Sequence, residues 1–134
     1  MKSIWLNLPV KNLETSKRFY KEIGFTLNTN YNRDDGASFL IGEKEVVLML
    51  FPEHTFKEFV RHDVADTNKG SEILLNIGAE SREEVDEMAE KVKKAGGVIF
   101  AEAAESEGWM YVFGFKDPDG HRWSMLYMDL EKLK

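Results

Sequence analysis

Phe115-Lys116-Asp117-Pro118-Asp119-Gly120-His121-Arg122-Trp123 reads as the ends of two strands folded about a tight turn. Pro fits position i+1 of a type I turn, and Gly at i+3 accepts the left-handed backbone that follows. The flanking runs, 109–115 and 122–128, are rich in aromatic residues and predict strands. Working backward, 98–102 is a further strand. Gly96-Gly97 ends a helix whose apolar stripe is Val85, Met88, Ala89 and Val92, at the i, i+3, i+4, i+7 spacing. Ser81 with Glu84 three residues later is a capping box at its start, and 73–79 is a strand before it. The order in this half is β-α-β-β-β.

The first half repeats it. Residues 3–9 predict a strand, Asn12 an N-cap with Glu14 in the first turn, and Leu13, Ser16, Phe19, Tyr20 and Ile23 one helical face. Gly24 ends the helix, and 25–29, 37–41 and 45–51 predict strands. Leu6-Asn7-Leu8 aligns with Leu75-Asn76-Ile77 at an offset of 69, and Met49-Leu50 with Met125-Leu126 at an offset of 76. Pro52 breaks the strand pattern. Phe56, Phe59 and Val60 then suggest a short amphipathic helix, and the polar stretch 62–70 reads as a linker. One domain of residues 1–134 is expected, built from modules of about 3–51 and 71–128 joined by 52–70. Two such units paired would cover each other's open faces around a shared cavity.

Composition narrows the function classes. Lys and Arg number 18 against 24 Asp and Glu, a net charge of −6, so phosphate-driven nucleic-acid binding and anionic membrane surfaces are poor matches. There is no Cys, which removes disulfides, thiolate nucleophiles and Cys-ligated metals. Hydrophobic residues at 43% and aromatics at 12% suffice for a packed core. The start of the chain carries no apolar run resembling a secretory signal, and the longest apolar run is six residues, 46–51. A soluble cytoplasmic protein is expected.

The stretch from Val10-Lys11-Asn12-Leu13-Glu14 through Phe19-Tyr20, then Ile23-Gly24-Phe25, together with the turn quoted above, resembles the vicinal oxygen chelate superfamily. That group includes glyoxalase I, bleomycin-resistance proteins and extradiol dioxygenases. The resemblance covers about 3–128. It implies an α+β fold in which two paired β-α-β-β-β modules form a curved half-barrel sheet around a central cavity. It also implies four metal-ligand positions, on the first and last strand of each module. Counting from Val10 and from Gly120, and carrying the two repeat offsets across, these positions read Trp5, Leu48, Leu74 and Ser124, with Met49 in place of Leu48 if the register slips by one. Divalent ions need nitrogen or oxygen donors, and stripping an ion against such apolar groups would cost of order tens of kcal/mol in idealised terms. The expectation is therefore a metal-independent protein with no cofactor.

Alternation from those positions points Trp5, Asn7, Leu48, Leu50, Leu74, Asn76, Ser124 and Leu126 into the cavity. The binding expectation is an apolar small-molecule pocket with Asn7 and Asn76 as polar anchors. The simpler alternative is that Trp5 and the leucines fill it as core. Trp109 and Tyr111 are further candidates for stacking on a ligand, or ordinary strand aromatics. His121 is a candidate general base, though a His opening a hairpin strand is more often a surface residue. His54 and His62 lack a third ligand for zinc. Three function classes remain: a small-molecule binder, which the residues favour; a metal-dependent lyase or dioxygenase; and a non-catalytic interaction module. A homodimer is expected, since small members of this superfamily pair modules across subunits, and Phe56, Phe59 and Val60 would otherwise lie exposed.

Overall fold

A computed structural model describes residues 1–31 and 33–133. The chain divides into two compact units, Met1–Asp66 and Thr67–Lys134.

The first unit runs β1 (Trp5–Val10), α1 (Leu13–Glu22), β2 (Thr26–Leu27), β3 (Ala37–Ile41), β4 (Val46–Pro52) and α2 (Glu53–Val60). Its four-stranded sheet has the order β1-β4-β3-β2, with β1 parallel to β4 and the other pairs antiparallel. Asn12 caps α1 as expected, its side chain accepting from the Thr15 amide at 3.0 Å. Gly24 follows the helix with a left-handed φ of 103°. One helical face buries Ser16, Phe19 and Tyr20, and Tyr20 packs on Phe25 and Phe39 at 5.4 and 6.0 Å. β2 is two residues long rather than the five of 25–29. Asn28 ends it by bending the chain: its side-chain oxygen accepts from the Asn30 amide and its Nδ2 donates to Ser38 Oγ.

The second unit repeats this plan with β5 (Leu75–Ala79), α3 (Arg82–Lys94), β6 (Val98–Ser106), β7 (Met110–Lys116), β8 (Arg122–Met128) and α4 (Leu130–Leu133), in the sheet order β5-β8-β7-β6. The Ser81 hydroxyl caps α3 by accepting from the Glu84 amide at 3.1 Å. The Glu84 carboxylate reaches back one residue further than a capping box does, to the Glu80 amide at 2.8 Å. Val85, Ala89 and Val92 are buried against the sheet, on which Phe113, Phe115 and Trp123 form a stacked row. β5 starts two residues later than expected, and β6 extends four residues beyond 98–102. β7 starts at Met110, so Trp109 lies in the turn; the left-handed residues Glu107 and Gly108 reverse the chain there. The two sheets and their helices make the α+β fold the sequence predicted. Among the described residues no helix is long and apolar enough to cross a membrane.

Candidate functional site

Each sheet has one face under its helix and one turned away from it. The pairing register decides which side chain goes where, because one residue of slip flips the face. In the first unit Trp5 pairs with Val47, Asn7 with Met49 and Leu8 with Leu50. In the second, Asn76 pairs with Ser124 and Ile77 with Met125. Asn7 and Asn76 are therefore equivalent at an offset of 69, and Met49 and Ser124 at 75 rather than 76.

That one residue corrects the expected site. Leu48 and Leu50 lie on the helix side with Leu8, both fully buried under α1, so neither faces a cavity. Met49 takes the place expected for Leu48, beside Asn7 and Ser38. Tyr111 is also corrected. It lies on the helix side of β7, where its hydroxyl donates to Asp86 Oδ1 on α3 at 2.7 Å and the Arg82 guanidinium sits 5.1 Å from its ring centroid. The bond to Asp86 pushes the Tyr111 pKa above its ordinary value. Arg82 also bridges to Glu105, whose pKa is lowered by that bond. The group ties α3 to β6 and β7. Trp109, in the turn, holds the chain end instead, its carbonyl accepting from the Asp129 amide at 2.7 Å.

Leu74, Asn76, Ser124 and Leu126 do come together. They line an open, mostly apolar pocket of about 530 Å³ on the face of the second sheet away from α3, with Phe100 and Val112. Ser124 is 6% exposed and donates its hydroxyl proton to the Asn76 side-chain oxygen, which fixes the amide with its NH₂ available. Trp5 and Asn7 share the corresponding face of the first unit, where Trp5 is 63% exposed, and neither is core.

Phe100 escaped the sequence reading. Ile99 pairs with Phe115 on the helix side, so alternation turns Phe100 to the pocket face, and the register shift between Ile99 and Ala101 leaves it against Gly114. Its ring tip occupies the space a Cβ on Gly114 would take. A glycine inside a strand is the sequence signal that could have found it.

In this register the four ligand positions that the resemblance implies read Trp5, Met49, Leu74 and Ser124. One thioether and one neutral hydroxyl are the only donors among them. This set does not fit a divalent cation. Among the described residues no three His, Cys, Asp or Glu side chains gather elsewhere.

The family model for the Glyoxalase/Bleomycin resistance protein/Dioxygenase superfamily matches residues 2–125. Among solved structures, a hypothetical protein from S. aureus is 34% identical, with 95% of this chain and 94% of that one covered at a TM-score of 0.84. A glyoxalase-related enzyme from Fulvimarina pelagi is 21% identical, covering 95% and 88%, with a TM-score of 0.80. A lactoylglutathione lyase from Agrobacterium tumefaciens is 18% identical, covering 97% and 96%, with a TM-score of 0.67. These last two likenesses concern the fold alone. Comparison with curated proteins gives no match. With a family model spanning nearly its whole length and the register of both modules accounted for, the chain belongs to the glyoxalase/bleomycin resistance protein/dioxygenase superfamily.

Proposed function

We propose that this chain is a metal-independent small-molecule-binding protein of the glyoxalase/bleomycin-resistance type. The observation that carries the reading is the replacement of all four ligand positions by Trp5, Met49, Leu74 and Ser124 while the second unit keeps an open apolar pocket. Binding by shape needs only such a pocket with a few fixed polar groups, and the Asn76–Ser124 pair supplies them. Lyase or dioxygenase chemistry through a metal ion would need donors that these positions lack.

Elemental analysis of the dialysed protein should give well under one equivalent of Zn, Ni, Fe or Mn. A full equivalent that disappears in a Trp5→Ala or Ser124→Ala protein would overturn the reading. Native mass spectrometry of freshly purified protein, searched for a co-purified small molecule, tests the binding directly.

We also propose a homodimer. Phe59 and Val60 remain 55% and 45% exposed on α2, which buries none of its residues fully. Light scattering should give twice the chain mass at micromolar concentration, and a monomer mass would contradict the proposal.

A further inference from the structure

We propose that the pocket of the second unit selects apolar carboxylates, with Lys116 and Arg122 holding the anionic end. The inference rests on the binding reading above and adds the class of ligand.

Lys116 and Arg122 are paired directly across β7 and β8. Alternation puts both on the face of Gly114, Ser124 and Leu126, which is the pocket face. Like charges directly opposite each other across a sheet repel, so the pair is unfavourable unless something offsets it. Among the described residues no carboxylate does so by an ion pair, Glu102 on the pocket wall included. Neither residue makes an ion pair there, although carboxylates outnumber cations in the chain. The nearest acid in sequence, Asp117, is turned inward onto the amides of Asp119 and His121. Glu105, at the pocket wall, is held by Arg82.

Arg122 is also pre-aimed. Its guanidinium lies 4.5 Å from the centroid of the Phe100 ring. Stacking of this kind uses the flat face of the group and leaves its N–H edge for a carboxylate. Phe100 in turn lines the pocket and is seated on Gly114. Arg122 stands two residues from Ser124 on one strand face, about 7 Å along the strand. A carboxylate held by Arg122 and Lys116 therefore places the rest of its molecule over Phe100, Ser124 and Leu126. Charge at one end and apolar surface at the other make the complement of an amphiphilic acid.

Titration calorimetry on the intact protein with octanoate, 1-octanol and inorganic phosphate tests this. Octanoate should bind at least about tenfold more tightly than octanol, an advantage that fades as ionic strength rises. Lys116→Gln and Arg122→Gln should each bring octanoate toward the octanol value while leaving octanol binding alone. Lys116→Gln should melt at or above the wild-type temperature, because it relieves the repulsion. Octanoate and octanol binding alike would overturn the carboxylate assignment and leave the pocket reading standing. Binding of neither would overturn both. Octanoate binding that survives both substitutions, or is fully displaced by phosphate alone, would also overturn the assignment.

Discussion

Leu48→Ala should destabilise the protein by about 2–5 kcal/mol, a fall in Tm of order 10 °C, with the pocket of the second unit left intact. Leu48 is fully buried beneath α1, in the layer that holds Leu8, Leu50 and Phe39. Removing its isopropyl group costs the transfer energy of those atoms and leaves a void that a close-packed layer cannot collapse to fill. Trp5→Ala, which deletes a larger side chain, should cost less than about 1 kcal/mol, because Trp5 is 63% exposed and leaves no cavity. Denaturant melts of the two variants side by side give the comparison. If Leu48→Ala melts with wild type while Trp5→Ala unfolds early, the β1–β4 register described above is wrong and the first unit must be re-threaded.

That reversal between Leu48 and Trp5 also marks how far the sequence could be read. Caps, glycine stops and the turn at Asp117 depend on a few adjacent residues, and Asn12, Ser81 and Gly24 act in the structure as their neighbours imply. The strand β4 is different. Its residues Leu48, Met49, Leu50 and Phe51 are all buried, so both faces read as apolar and alternation cannot say which one meets the helix. The repeat offered Met49-Leu50 against Met125-Leu126, a match of residue type that sits one position out of structural register. β7 misled in the same way, since Tyr111 and Val112 are equally good strand residues and only the reach to Asp86 reveals the side on which Tyr111 lies. On β5 the polar Asn76 breaks the apolar run, and it lies on the pocket face of the second sheet. Phe100 needed the pairing of β6 with β7, which sets its face through Ile99 opposite Phe115 and leaves no local mark beyond Gly114. Lys116 and Arg122 flank the most legible turn in the chain, yet their shared face follows only from the pairing of β7 with β8.

Asp117→Ala should destabilise the second unit by about 3 kcal/mol, comparable to a core deletion although no apolar packing is lost. Asp117 is 4% exposed. Its Oδ1 accepts from the Asp119 amide at 3.0 Å and from the His121 amide at 2.8 Å, and its own backbone closes the turn with bonds to His121 and Gly120. Hydrogen bonds to a charged acceptor contribute about 1.5–3 kcal/mol each, and alanine leaves both donors without their acceptor. Gly120 permits the tight return with φ of +85°, and the Thr67 hydroxyl, donating to the Asp119 carbonyl at 2.6 Å, fills the space a side chain at Gly120 would need. The turn is thus held from three directions, and relaxation around the lost carboxylate is limited. Asp117→Asn keeps an oxygen at the same place and forfeits only its charge, so it should recover about half of the loss. Urea melts of the three proteins decide the matter. Equal stability of Asp117→Ala and wild type would mean that these amides find water as readily as the carboxylate, and that the turn is fixed by Pro118 and Gly120 alone. A stability order of wild type, then Asn, then Ala would establish the carboxylate as the group that sets the β7–β8 pairing, and with it the position of Ser124, Arg122 and Lys116 on one face.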